Sequence, residues 1–461
     1  MRQTAVKNST WEPEIPDGRE PLYLRLAAAF DRDIRSGVLP PGAQLPTHRE
    51  LSDRLGISLG TVTRAYAEVE RNNLVGGQKG RGTYVIGAAK AQPSKPHGGI
   101  FDLSRNVPPP VLTAESLGKM FHYLQREPDI RSYLDYVPHG GVEAHRATIS
   151  QWLARRGVPA DRDNLLLTNG AQHAVCLVME VALGQGAAMA CENFTYYGLK
   201  SLAQELERPL QPIEMDEEGM RPDALDQACR ERRIAAIYIM PTLQTPTARI
   251  MSETRRRDLA KVCRAHDLVI IEDDVYGFLA PDAPSPMASI APERTFYVSS
   301  ISKCIAPGLR IGFVVSPADH VTRLQRRLGV TCWMASPLLT HIASELVREG
   351  IVDHVTDRLR KEARHRMSVA MSLLPGLQAP SCDSSFHVWI PMKSAEAEAV
   401  IRRATARQVL LTPADAFTVG NRSDGGIRIC LGSIPGLPGL ERGLFELSEA
   451  MNGESEFLSI V

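Results

Sequence analysis

From residue 165 onward the chain repeats one pattern. Short runs that are apolar at nearly every position, LLLT (165–168), AAMA (187–190), IAAIYIM (234–240), LVIIEDD (268–274), TFYVSS (295–300) and IGFVVS (311–316), alternate with stretches whose apolar residues follow helical spacing. A strand solvated on one face alternates apolar and polar residues, whereas one that is apolar throughout must be covered on both faces. Parallel strands joined by crossover helices meet that condition, because each helix lies over the sheet. The pattern predicts an α/β domain on a largely parallel sheet.

At 461 residues the chain exceeds what one ordinary core supports. Residues 87–99, GAAKAQPSKPHGG, mix Gly, Ala, Lys and Pro without periodicity and read as a solvated tether between one unit at 1–86 and another at 100–461. Composition is that of a soluble globular protein, with 43% hydrophobic residues, 23% charged residues and zero formal net charge. Eight scattered cysteines form no Cys-x-x-Cys pair, which disfavours a zinc site or a disulfide framework and fits a reducing cytoplasm. The N-terminus carries Arg2, Lys7, Glu12 and Glu14 with no apolar segment of the signal-peptide kind. The most apolar stretch, 174–190, is interrupted by Glu180 and a Gly-Gln-Gly break and falls short of the ~20 residues that span a bilayer. A cytoplasmic protein without metal or membrane association is expected.

In the first unit, Leu22, Leu26, Ala29, Phe30, Ile34 and Val38 follow helical spacing that stops at Gly37, Pro40 and Pro41. Thr47 with Glu50 matches a capping box and opens a second helix, which Gly56 ends. Ser58 caps a third helix, whose Val62, Ala65, Tyr66 and Val69 form a buried stripe and leave Thr61, Thr63 and Arg64 outside. Two helices joined by Gly56-Ile57-Ser58 have the spacing of a helix-turn-helix. Residues 74–75 and 83–86 can pair as a hairpin whose tip presents Lys79 and Arg81. A helix that reads DNA needs a capped N-terminus, short polar side chains for base edges and cations for phosphates; Arg49, Ser58, Thr61, Thr63, Arg64, Lys79 and Arg81 supply them. The slight excess of Lys and Arg in this unit is no diagnosis by itself, and from spacing alone a protein-interaction module stays open. The run from GVLPPGAQLPTHRELSDRLG to GQKGRGTYV resembles the GntR-family winged helix-turn-helix over nearly its whole length. That resemblance implies dimeric binding to operator DNA, with Arg49, Ser58, Thr61, Arg64 and the Gly80-Arg81-Gly82 wing at the matching contact positions.

In the second unit, SSISKCIAPGLRIGF (299–313) places Lys303 just past an apolar strand, among Ser300 and Ser302, with Arg310 seven residues on. A lysine that links to an aldehyde cofactor must be partly desolvated, and the cofactor's phosphate needs hydroxyls and a guanidinium. Upstream, LVIIEDDVYGF ends a strand with Glu272, Asp273 and Asp274, followed by Tyr276; a carboxylate at a strand's C-terminal end can keep a pyridine nitrogen protonated. Alone, such a lysine is usually a surface residue and such an acidic pair usually a helix cap; the two in this order are not.

Residues from about 100 to 450 resemble a fold-type I pyridoxal phosphate aminotransferase, and the fusion to a GntR-type unit resembles the MocR subgroup of regulators. The resemblance implies a mostly parallel central sheet with a small C-terminal α+β subdomain, roughly 335–461. It implies pyridoxal 5'-phosphate bound as an aldimine on Lys303, Asp273 against the pyridinium nitrogen, Tyr276 at the 3'-oxygen and Tyr196 stacked on the ring. Ser300, Ser302, Arg310 and the Gly170-Ala171-Gln172 turn would hold phosphate, Arg428 in GIRICLG a substrate carboxylate, and Tyr136 the phosphate of a partner subunit in a head-to-tail homodimer. Two positions depart from the pattern. Thr245-Pro246-Thr247-Ala248 stands where Asn-Pro-Thr-Gly is usual, so the amide that contacts the 3'-oxygen is missing, and Ala171 replaces a common serine. Both count against efficient transamination. The expectation is a PLP-dependent transcription regulator responding to an amino compound or to the cofactor, with an aminotransferase bearing a DNA-binding appendage as the alternative. A third reading, a dimerisation and metabolite-binding body without cofactor, leaves the Lys303 constellation unexplained.

Overall fold

A computed structural model describes residues 11–16, 21–35, 38–40, 42–71, 74–78, 82–85, 99–378, 380–420 and 423–453. The chain divides into two compact units, 1–95 and 96–461. Residues 87–98 of the expected tether, and the wing tip with Lys79, Gly80 and Arg81, lie outside the described residues.

The first unit contains α1 (Leu22–Arg35), α2 (His48–Leu55), α3 (Leu59–Arg71) and an antiparallel hairpin of β1 (Val75–Gln78) and β2 (Gly82–Val85). The capping box that opens α2 is formed in full. Glu50 N donates to Thr47 Oγ1 at 3.2 Å, Thr47 N donates to the Glu50 carboxylate at 2.8 Å, and Gly56 ends the helix in the left-handed region. Val62, Ala65, Tyr66 and Val69 are buried against Leu26 and Phe30 of α1, so the helical stripe read from sequence is the core. Trp11, ahead of the first helix, joins that core. Its ring packs 4.5 Å from Phe30, and its indole N–H donates to Asp33 at 3.0 Å. No periodicity precedes α1, so this anchor left no sequence pattern to follow.

The second unit is built on a seven-stranded sheet. Its strands are β3 (Leu165–Thr168), β4 (Ala188–Glu192), β5 (Leu210–Ile213), β6 (Ile234–Ile239), β7 (Val269–Asp273), β8 (Thr295–Ser300) and β9 (Gly312–Val315), in the order β3-β9-β8-β7-β6-β4-β5. All neighbours are parallel except β9, which runs antiparallel to both β8 and β3. The six apolar runs are strands. β5, LQPI, is the addition at the edge, where only Ile213 is buried. Helix α4 (Ala171–Ala182) is apolar almost all round because it is buried: Ala174, Leu177, Val178 and Met179 have no exposure.

A smaller layer follows. α5 (Ile351–Leu373) leads into an antiparallel pair, β10 (His387–Lys393) and β11 (Asp424–Cys430), covered by α6 (Ser394–Ala406) and α7 (Leu437–Asn452). Phe101–Asp102 pairs in parallel with Val409–Leu410, so the segment that opens the unit joins this layer and brings residues 104–107 to the large sheet. Among the described residues no helix is long and apolar enough to cross a membrane, and no group of His, Cys, Asp and Glu is arranged for a metal.

Candidate functional site

Strand direction assembles the main site. β3, β7 and β8 end at one edge of the sheet, and β9 starts there because it runs the other way. The register pairs Ser300 with Gly312 and Gly312 with Thr168, so the residues that follow β3 and β8 and precede β9 converge. The carboxyl edge of a parallel sheet, where chain reversals leave a crevice, is the usual ligand position in α/β folds.

A cavity of about 150 Å3 lies there, bounded by Asp273, Tyr276, Ser300, Ser302, Lys303 and Arg310, with Ala171, Gln172, Tyr196, Thr245, Arg428 and Asn106 completing its wall. It opens toward a wider cleft of about 650 Å3 that shares Asn106, Lys303 and Arg428. The Asp273 carboxylate accepts from the Tyr238 hydroxyl at 2.6 Å through Oδ2, while its buried Oδ1 has no partner among the described residues. Burial raises this carboxyl to about 6, with the Tyr238 hydrogen bond opposing the rise. Lys303 Nζ donates to the Asn106 carbonyl. Burial, reinforced by the Arg428 and Arg310 guanidiniums, brings its ammonium down to about 8. About a tenth of such an amine is unprotonated at pH 7, far more than of an ordinary lysine, and the unprotonated form is the nucleophile.

In the same cavity as Lys303, the first turn of α4 presents N–H groups after Gly170, whose φ of +90° suits only glycine. A Cβ at Gly170 would lie 2.6 Å from Arg310 Nη2, and one at Gly312 would lie 2.3 Å from the Gly170 carbonyl carbon, so both glycines keep this corner open for the guanidinium. Ser302 Oγ is buried there with no partner among the described residues. Helix N-terminus, arginine and uncommitted hydroxyl together make an anion site. Tyr196 borders the same space, with its hydroxyl donating to Gln172 at 3.1 Å.

Arg428, on β11, is 3% exposed. Its Nη2 donates to the Ser104 carbonyl at 2.7 Å and to Thr412 Oγ1 at 3.1 Å, its guanidinium lies 4.7 Å from the Phe417 ring centre, and Nε has no partner among the described residues. No carboxylate among the described residues offsets this buried guanidinium, which suits it to receive one from a ligand. Tyr136 is not brought to this cavity within the chain; it is 75% exposed and rests against Trp333, with ring centres 5.1 Å apart. Sequence reasoning missed Tyr238, Asn106 and His387. Tyr238 was readable as the one polar-tipped side chain in an apolar strand; Asn106 and His387 carry no local signal.

In the first unit, Arg49, Ser58, Thr63 and Arg64 are exposed around the start of α3, and Thr61 is half-buried. Ser58 caps the helix, accepting from Thr61 N at 3.1 Å, with its hydroxyl 2.8 Å from that of Thr61. His48 joins this face. Its Nδ1 is 3.4 Å from the Thr63 hydroxyl, and its ring packs on Tyr66.

Two family models match the chain: aminotransferase class I and II over residues 99–436, and bacterial regulatory proteins of the gntR family over residues 22–85. The HTH-type transcriptional regulator YdeF of Bacillus subtilis is 26% identical, covering 96% of this chain and 97% of its own length. The HTH-type pyridoxine biosynthesis transcriptional regulator PdxR of Corynebacterium glutamicum is 25% identical, covering 89% of this chain and 92% of its own. Among solved structures, a kynurenine aminotransferase of Pyrococcus horikoshii covers 76% of this chain and 90% of its own length with a TM-score of 0.70 at 23% identity, a likeness of fold.

Proposed function

The chain belongs to the class I and II aminotransferase family and carries a gntR-type DNA-binding domain, the combination of MocR-type HTH transcription regulators; from this we propose that it binds pyridoxal 5'-phosphate on Lys303 and couples an amino compound received there to operator DNA. The observation that carries this reading is the pairing of a buried, uncommitted Asp273 oxygen with a lysine whose ammonium is already destabilised, in one cavity.

When bound, the cofactor supplies an aldehyde that links to a primary amine and a ring that withdraws electrons. Lys303 provides the amine, and Asp273 Oδ1 holds a proton on the ring nitrogen. Arg310, Ser300, Ser302 and the α4 turn of Gly170, Ala171 and Gln172 bind the phosphate. Tyr196 stacks on the ring, Tyr276 donates to the 3'-oxygen, and Thr245 offers a shorter donor beside it. Arg428 takes a carboxylate of the amino compound. Tyr136 reaches the phosphate site of a second subunit, which makes the working form a head-to-tail homodimer with two DNA-binding domains. Arg49, Ser58, Thr61, Thr63 and Arg64 face the operator, with Lys79 and Arg81 on the wing. The protein works in the cytoplasm, where DNA and the cofactor are both present. For regulation, the amino compound must bind two arrangements of the dimer with different affinity. Because PdxR is named for pyridoxine biosynthesis, occupancy by the cofactor itself is a second candidate signal.

The test is a visible absorbance spectrum with added cofactor and a panel of amino acids and amines, followed in parallel with retardation of DNA from the protein's own upstream region. A visible band that Lys303→Ala abolishes, and that one amine shifts together with DNA binding, supports the proposal. A band that survives Lys303→Ala overturns it. Arg428 also favours a second reading, a working aminotransferase; steady keto-acid release with no effect on DNA would establish that instead.

A further inference from the structure

Tyr276 is one link in a chain of hydrogen bonds whose directions can be worked out. His387, at the start of β10, is fully buried, and its Nε2 lies 3.2 Å from the Gln244 carbonyl. A carbonyl only accepts, so Nε2 carries the hydrogen. Burial, with Arg428 nearby, holds this imidazole down to about 3, so the ring is neutral and Nδ1 keeps its lone pair. Asn106 Nδ2 is 3.1 Å from that Nδ1 and must donate to it, which fixes the orientation of the amide. The second hydrogen of the same nitrogen points to the Tyr276 hydroxyl oxygen at 2.7 Å. That oxygen therefore accepts from Asn106, and its own hydrogen has no acceptor among the described residues.

The far end of the chain is anchored. Gln244 Nε2 donates to Glu192 at 3.0 Å and to the Phe194 carbonyl at 2.6 Å, and its Oε1 accepts from Thr247 N at 2.9 Å. Gln244 immediately precedes Thr245, the position at which the amide expected from the family resemblance is absent. Asn106 comes from the opening segment of the unit, far away in sequence, and brings an amide to the same corner.

We infer that Asn106 and His387 are positioning residues that hold the Tyr276 hydroxyl with its hydrogen directed into the cofactor cavity, offsetting through Tyr276 the amide missing at Thr245. The ligand atom this hydrogen meets is an anionic ring oxygen, the cofactor's 3'-oxygen. The inference rests on the proposal that the cofactor sits on Lys303. The charged and titratable groups facing Tyr276 are Arg428 and Cys430 on β11, Asp273 on β7, Tyr196, His387, and Lys303, whose Nζ is 5.8 Å from the ring centre.

The readout is the pH midpoint at which the visible band of the lysine-bound cofactor changes in the full-length protein. A donor to the 3'-oxygen draws density from it and weakens its hold on the proton of the lysine linkage, which lowers the midpoint. Losing one neutral hydrogen bond should raise the midpoint by on the order of one pH unit, as Tyr276→Phe reports directly. Asn106→Leu, close to Asn in shape, and His387→Leu should raise it in the same direction, and neither should raise it further in a Tyr276→Phe background. If His387→Leu does not fold, Asn106→Asp stands in for it. Its carboxylate captures the tyrosine hydrogen, and the effect of its charge is subtracted in the Tyr276→Phe background. Midpoints unmoved by the Asn106 variants while Tyr276→Phe shifts, or shifts that add to that of Tyr276→Phe, overturn the relay and leave the cofactor assignment standing. Absence of any band in the wild-type protein overturns the assignment itself.

Discussion

Tyr238 donates its hydroxyl hydrogen to Asp273 Oδ2 at 2.6 Å across neighbouring strands β6 and β7, and so decides which carboxylate oxygen is left for a ligand. Without that bond burial is opposed less, by the Val275 backbone and Lys303 alone, and the carboxyl rises further above its present value of about 6. Tyr238→Phe should weaken cofactor binding about tenfold near pH 6, the worth of one hydrogen bond to a charged group. The deficit should shrink above pH 8, where Asp273 is ionised in both proteins. Equal affinity at pH 6, measured by titrating the visible band, would contradict this.

Gly170→Ala tests the phosphate corner. The added Cβ would meet Arg310 Nη2 at 2.6 Å, and φ of +90° disfavours any L side chain. Cofactor affinity should fall at least tenfold, and the unliganded protein should lose on the order of 1–2 kcal/mol of stability from backbone strain. Titration and urea unfolding read the two effects separately.

Glu272 gives the unliganded protein a pH dependence of definite sign. The side chain is fully buried and accepts from Met287 N at 2.8 Å and Ala288 N at 2.9 Å, yet burial, with Asp274 adding, raises it to about 7. A carboxyl raised in the folded state contributes stability that is fully present below its unfolded value, near 4.5, and is lost as pH rises through about 7. Glu272→Gln should flatten the decline in unfolding free energy between pH 5 and pH 8 by up to about 3 kcal/mol. Some decline should remain, because Glu192 is raised to about 7 as well. An unaltered slope in denaturant titrations would show that Glu272 does not ionise in that window.

The DNA-binding unit separates stability from recognition. Thr47→Ala removes one half of the capping box and should lower the stability of that unit by about 1 kcal/mol. Arg64→Ala should leave stability within about 0.5 kcal/mol, yet weaken DNA binding and reduce its salt dependence by the equivalent of about one phosphate contact. Unfolding curves and retardation at several salt concentrations distinguish them.

Much of this was legible because local physics and the fold agree. The β7 run LVIIEDD is apolar where both faces of the sheet are covered and turns acidic where the strand reaches the crevice, so an acidic strand end was readable, while the choice of Asp273 over Glu272 and Asp274 came from the family resemblance. Lys303, Ser300 and Arg310 were readable for the same reason: all lie within a dozen residues of one strand end. What sequence could not supply are contacts that depend on long chain separations. Asn106 meets His387 across 281 residues and Tyr276 across 170, and no spacing rule reaches that far. Trp11 was missed because a single aromatic outside any periodic run announces no partner. The wing residues Lys79 and Arg81 lie outside the described residues, so their placement rests on sequence alone.

The long helix α5 belongs to both cores of the second unit. Its first half, with Val352, Val355 and Leu359, packs in the core of the large sheet, and its last turns, with Met367 and Ala370, pack in that of the small layer. At 23 residues it measures roughly 34 Å. Arg428 stands on β11, in the layer at the far end of this rod. A rigid tilt of about 5° about the seated half would carry that end, ~17 Å away, through about 1.5 Å. A rod seated in two cores ties them together, so the layer that carries Arg428 could shift against the sheet that precedes Lys303 only if this helix tilted or bent.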